Sequence, residues 1–218
     1  MKVTSTKLAL LAALLALVCP GTGRADDDGA PDHPKHGLQA KIQYCSDCHG
    51  SSGQGYRGYL VMPRLAGQQT EYFENQLRAF SEHRRDTHFI LNMAKTHGVN
   101  PTMRTGLAKH FRNLNPGRFA SAPRGLAATG KKIYDEGVPE ANVPACSVCH
   151  GPGAKGDGAN PRLAGQLYSY SVKVLANWRK ERGQDAAGAD TASVMQPIAT
   201  ALSRQQSAAV SAYLSSLK

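Results

Sequence analysis

The chain has 218 residues, 41% apolar and 19% charged, and its 26 Lys and Arg against 16 Asp and Glu give a formal charge of +10. That length suits one or two domains. The longest apolar run, over residues 8–18, falls short of the roughly 20 residues a membrane-spanning helix needs, so the chain is expected to be soluble.

Residues 1–25 read as a secretory signal peptide: Lys2 and Lys7, the apolar run, then Gly23-Arg24-Ala25 with small residues at the two recognition positions. The expected location is the periplasm. Val18 precedes Cys19 where a lipobox needs a small residue, which disfavours a lipid anchor. Cleavage removes Lys2, Lys7, Arg24 and no acid, taking the formal charge from +10 to +7. An exported basic protein has no nucleic acid to meet. Its charge is expected to steer it to the acidic docking face of a redox partner or to an anionic membrane surface carrying a respiratory complex. General solubility is the competing use of that charge. Residues 26–36, with Asp26-Asp27-Asp28 and two prolines, read as a flexible tail.

The first module is expected over 37–115. A short helix over 36–44 leads into Cys45-Ser46-Asp47-Cys48-His49. Two thiols at this spacing can form thioethers with the two vinyl groups of one porphyrin, and the next histidine falls under the ring to ligate the iron. A Gly-rich loop follows, then Pro63-Arg64-Leu65-Ala66-Gly67-Gln68. Tyr72, Gln76, Leu77 and Phe80 then share one helical face, and another helical pattern covers 102–114. A Pro/Gly-rich linker spans 116–124.

The second module, 125–218, copies the first. A helix over 126–136 precedes Cys146-Ser147-Val148-Cys149-His150, and Pro161-Arg162-Leu163-Ala164-Gly165-Gln166 repeats the hexapeptide. Tyr170, Leu175, Trp178 and Arg182 match Tyr72, Leu77, Phe80 and Arg84 at an offset of 98. The last helix is expected over 203–217 with Ser203 as N-cap. No run of alternating strands appears, so the fold is expected to be all-α: two tandem domains of three to four helices, each around one covalently bound haem c. Zinc would need a fourth ligand, usually from a second C-x-x-C in the same domain. A redox dithiol would sit on a βαβ unit. Neither half supplies these.

His49 and His150 are the candidate proximal ligands. For the opposite face methionine leads, because a thioether favours Fe(II) and raises the potential. Met93 lies 44 residues after His49, and Met195, the only methionine of the second module, lies 45 after His150. Met62, Met103 and the histidines His83, His88, His97 and His110 compete in the first module. A bis-histidine first haem would break the symmetry, since no histidine follows His150. The carbonyls of Pro63 and Pro161 are placed to accept the other ring N–H of each proximal histidine. Arg64, Arg162, Tyr72 and Tyr170 are candidates to bind the haem propionates, against a reading of the arginines as solvated surface residues.

The ordered string C-x-x-C-H-G, P-R-L-A-G-Q, tyrosine with a hydrophobic helix, then methionine, resembles the dihaem cytochromes c of the c4 class, built of tandem class I modules. The resemblance covers residues 37–218. It implies an electron-transfer protein with His/Met haems lying near one another, often passing electrons from a quinol-oxidising complex to a terminal oxidase. Dihaem subunits that accept electrons from sulfur-compound dehydrogenases are similar too. The first module departs from the pattern in the longer stretch over 56–62 and in His97-Gly98-Val99-Asn100-Pro101 before its last helix. The expected function is therefore carriage of single electrons. An electron-accepting subunit is the alternative, and a dihaem enzyme a third reading that would require an open sixth position or an unusual ligand on one iron.

Overall fold

The computed structural model describes residues 37–82, 84–85, 98–118, 122–123, 125–182 and 191–218. The expected signal peptide and tail lie outside these residues, as do Met93, His83, His88 and His97. Residues 33–218 form one compact unit.

Helix α1, Leu38–His49, runs through the whole first haem motif and stops at Gly50, whose φ of +85° only glycine adopts without strain. The expected helix over 36–44 is thus five residues longer at its end, because nothing between Tyr44 and Gly50 breaks it. Two short antiparallel strands, β1 Tyr56–Arg57 and β2 Val61–Met62, pair Tyr56 with Met62 within the extra stretch of this module. Among the described residues they are the one departure from the expected absence of strands, and the fold remains helical. Helix α2 is Thr70–Ser81 and α3 is Pro101–Asn113, capped by the Asn100 side chain accepting from the Met103 N–H at 2.8 Å.

In the second module α4, Ala127–Glu136, ends at Gly137, and a 3-10 turn at Pro139–Ala141 separates it from α5, Ser147–His150, which carries the haem motif alone. The counterpart of α2 is split into α6, Tyr168–Ala176, and α7, Trp178–Arg182. Asn177 stands at the break, where α2 has buried Ala79. Its side-chain amide donates to the Lys173 carbonyl at 2.9 Å, a local bond that competes with helical continuation. Helix α8 is Ala192–Ala201. Helix α9, Arg204–Ser216, begins with a capping box between Ser203 and Gln206, as the sequence predicts for Ser203.

Each module has its own core. In the first, Ile42, Phe73, Leu107, Ala108 and Phe111 pack together, with Phe73 and Phe111 stacked at 5.6 Å. In the second, Ile133, Tyr134, Val138, Val143, Val210 and Leu214 do so where α4 crosses α9. The α4–α9 crossing needs a glycine, because a Cβ on Gly130 would lie 1.9 Å from the Ala209 carbonyl oxygen; one on Gly106 would lie 2.8 Å from the end of the Leu38 side chain.

Candidate haem sites

The loop after each motif closes the same way. Gly55 N–H donates to the His49 carbonyl at 2.7 Å, and Gly156 N–H to the His150 carbonyl at 3.0 Å. Leu65 and Ala66 donate to Gly53, and Leu163 and Ala164 to Ala154, while Gly67 and Gly165 fasten each hexapeptide to Phe111 and Leu214 of the terminal helix. The hexapeptide is thereby fixed between loop and helix, with its proline facing the histidine. His49 Nδ1 lies 2.8 Å from the Pro63 carbonyl oxygen, and His150 Nδ1 lies 2.9 Å from that of Pro161. A carbonyl can only accept, so Nδ1 carries the proton and Nε2 is left as the free lone pair.

Burial pushes both imidazoles below the ordinary histidine range; the proline carbonyls oppose this, and the charge of Arg85 adds to it at His49. Neutral rings are what a metal requires. Burial also raises the Cys45 and Cys146 thiols to about 11. They are thiols rather than thiolates near neutral pH, unlike a reactive dithiol. Among the described residues no cluster of three or more His, Cys, Asp or Glu comes together.

A cavity of about 560 Å³ runs past both centres. Cys45, Cys48 and His49 line one part, His150 and Met195 another, and Phe73, Leu77, Phe80, Val174, Leu175 and Trp178 supply apolar walls. Met62 lines it as well, whereas Met103 packs against the first core and His110 stands edge-on to Phe111 at 5.1 Å. The structure thus keeps Met62 near the first site and sets Met103 in the core.

The two arginines of the hexapeptides differ in exposure, Arg64 being buried and Arg162 half-buried. Arg64 is buried and donates from Nε to the Ala66 carbonyl, from Nη1 to Gly117 and from Nη2 to Pro116, so it grips the start of the linker. Arg162 donates from Nε to Ala164. Burial and the neighbouring Arg162 charge lower Arg64 to about 10. Tyr72 and Tyr170 meet at a cluster: Arg182 Nη1 donates to the Tyr72 hydroxyl at 2.7 Å and to Gln76 Oε1 at 2.6 Å, and its Nη2 to the Tyr170 hydroxyl at 2.6 Å. Arg85 donates to Gln76 Oε1 at 2.8 Å and to the Tyr170 hydroxyl at 3.3 Å.

Sequence reasoning missed three groups. Gln68 and Gln166 close each hexapeptide and reach across the modules. Gln68 Oε1 accepts from the Arg162 N–H at 2.7 Å and its Nε2 donates to the Arg162 carbonyl at 3.1 Å; Gln166 does the same with Arg64, at 2.9 and 3.1 Å. The exact repetition of the glutamine was the available signal. Arg85 is the third, since alignment by offset pairs Arg182 with Arg84, which instead meets Glu82 at 2.7 Å.

The residues present suit a haem: one free imidazole nitrogen and two neighbouring thiols per module, apolar walls and, among the described residues, two guanidinium Nε atoms closed off from solvent without a hydrogen-bond partner. With the helical fold, they define two tandem class I cytochrome c modules. Residues 127–218 match the cytochrome c family. A cytochrome c-552 of Acidithiobacillus ferridurans is 35% identical over 79% of this chain and 73% of that protein. A thiosulfate dehydrogenase electron acceptor of Thiomonas intermedia is 35% identical over 78% of this chain and 76% of its own. The structure of Acidithiobacillus ferrooxidans cytochrome c4 superposes with a TM-score of 0.68, at 33% identity, covering 80% of this chain and 99% of that one. The chain belongs to the dihaem cytochrome c4 class, and its cofactor is covalently bound haem c.

Proposed function

We propose that this electron-transfer cytochrome is an exported, periplasmic carrier that exchanges single electrons with protein partners bearing acidic docking faces, one of them a membrane-associated respiratory complex such as a terminal oxidase. Bound haem supplies the Fe(III)/Fe(II) couple. Cys45 and Cys48, and Cys146 and Cys149, are the attachment residues. His49 and His150 give Nε2 to the irons while Pro63 and Pro161 hold their Nδ1 protons. Met195 would supply its sulfur to the second iron and Met93 to the first. The observation that carries the reading is the matched pair of proline-anchored histidines, with Met195 lining the same cavity as His150. With an imidazole and a thioether given to each iron, no position would be left open for a substrate, which favours carriage over catalysis.

A second reading, an electron-accepting subunit of a sulfur-compound dehydrogenase, draws support from the likeness to the Thiomonas electron acceptor. A redox titration with optical spectra tests both. Two haems per chain with methionine–iron bands in the ferric spectrum are expected, and a high-spin ferric signal would replace carriage by catalysis. Stopped-flow oxidation by terminal oxidase, set against reduction by thiosulfate dehydrogenase, separates the partners.

A further inference from the structure

The helix that carries Met195 does little to hold its own start. Thr191 caps α8 without a side-chain hydrogen bond, and the Met195 N–H reaches the Thr191 carbonyl at 3.4 Å, longer than an ordinary backbone bond. Pro197 lies inside the helix and has no N–H for the Ser193 carbonyl four residues back. A helix of ten residues with so weak a first turn is held mainly by what it packs against. Two side chains fasten this turn to other parts of the module. The Trp178 indole N–H, from the first residue of α7, donates to the Ala192 carbonyl at 3.1 Å, and the Thr191 hydroxyl donates to the Ala159 carbonyl at 3.4 Å.

Both bonds lead back to the second haem centre. Trp178 lines the same cavity as His150 and Met195, and its bond lands three residues before Met195. Ala159 lies in the tight loop closed by paired bonds between Asp157 and Asn160, two residues before Pro161, whose carbonyl accepts from His150. Thr191 thus connects the turn bearing Met195 to the support of His150. The counterpart of Trp178 in the first module is Phe80, which lines the cavity too but has no donor, so a phenyl ring suffices as wall and the indole N–H has a separate use. Resting on the reading of Met195 as a ligand, we propose that Trp178 is a positioning residue for the Met195 sulfur: its N–H pins the first turn of α8, and with Thr191 it joins the supports on the two faces of the second haem into one frame that resists displacement of the thioether. A thioether favours Fe(II), so in the ferric state its hold depends on how closely the protein keeps the sulfur in place.

The test follows the methionine–iron bands of ferric full-length holoprotein as imidazole, a nitrogen ligand for the same position, is added. Met195→Ala assigns one band to the second haem; if both bands survive it, the ligand reading itself fails, whatever Trp178 does. With the band assigned, Trp178, the only tryptophan of the chain, is replaced biosynthetically by benzothienylalanine, which keeps the bicyclic ring and lacks the N–H. The imidazole concentration that removes half of the Met195 band is expected to fall about fivefold, the net worth of one such hydrogen bond, while the other band responds as in wild type. Thr191→Val should act on the same haem in the same direction, and a Thr191→Val protein that behaves as wild type overturns the frame. An unchanged Met195 band with benzothienylalanine, or an equal fall at both haems, overturns the role of Trp178. So does a fall in Trp178→Phe that benzothienylalanine does not reproduce, since ring packing would then be the cause. Should Trp178→Phe fail to fold, the isosteric replacement decides alone. Lower thermal stability with unchanged imidazole affinity would leave Trp178 a packing residue and refute the proposal.

Discussion

The histidine of each C-x-x-C-H motif is fixed by one bond that involves no side chain of a partner residue. Pro63 and Pro161 offer a carbonyl from a backbone whose φ the ring restrains and which has no N–H of its own to draw it elsewhere. That bond chooses the tautomer, and burial keeps the ring neutral, so Nε2 is prepared before any iron arrives. Met195, proposed as a ligand, supplies the contrast, a soft thioether on a helix with Pro197 two residues on. Replacing it by alanine should abolish the methionine–iron band of one haem and leave the other unchanged. Met93→Ala should do the reciprocal. Ferric absorption spectra of the two variants check this, and a Met93→Ala protein with both bands intact would hand the first iron to Met62 or His88.

At the scale of elements, much was legible because it is local. Ser203 with Gln206 three residues on is a capping box whatever the helix packs against, and the apolar spacing of Tyr72, Leu77 and Phe80 marks α2. What escaped depends on single residues that change the backbone. Gly50 rather than Tyr44 ends α1, and Asn177 splits α6 from α7 where Ala79 lets α2 continue. The contacts of Gln68, Gln166 and Arg182 with the other module span 94 to 110 residues, and no periodicity reports them. Helix crossing is the other hidden feature, and it separates two glycines that look equivalent in sequence. On Gly106 a methyl group meets the end of the flexible Leu38 side chain, which can move aside. On Gly130 it meets the Ala209 backbone carbonyl, which cannot. Alanine gains up to about 1 kcal/mol over glycine in a helix interior, so Gly106→Ala should stay within about 1 kcal/mol of wild type. Gly130→Ala should lose about 2 kcal/mol or more by overpacking the α4–α9 contact. Guanidinium unfolding followed by circular dichroism measures both; equal losses would refute this account of the crossings.

For the whole molecule, the basic charge and the coupling of the modules set how it meets partners and how it unfolds. A net positive surface attracts an acidic face over about one Debye length, near 8 Å at physiological ionic strength. The bimolecular rate of electron exchange with such a partner should therefore fall steeply as salt rises, and stopped-flow rates independent of salt would argue for apolar docking. The modules themselves are joined by a clasp with approximate twofold symmetry, in which each glutamine side chain completes the backbone pairing of the other hexapeptide. Those hexapeptides also carry the proline carbonyls, so the clasp ties the histidine supports of both haems into one mechanical unit. Removing a glutamine side chain leaves an N–H and a carbonyl of the opposite arginine unpaired in a buried place, at about 1–3 kcal/mol for each group. Because each module has its own apolar core, losing both clasps should uncouple them without unfolding either. Calorimetry of wild-type holoprotein should show one cooperative transition, and Gln68→Ala with Gln166→Ala should show two, the lower shifted down by several degrees. A single unshifted transition in the double variant would mean that the modules are held together by other contacts, and the clasp would then be a consequence of their docking rather than its cause.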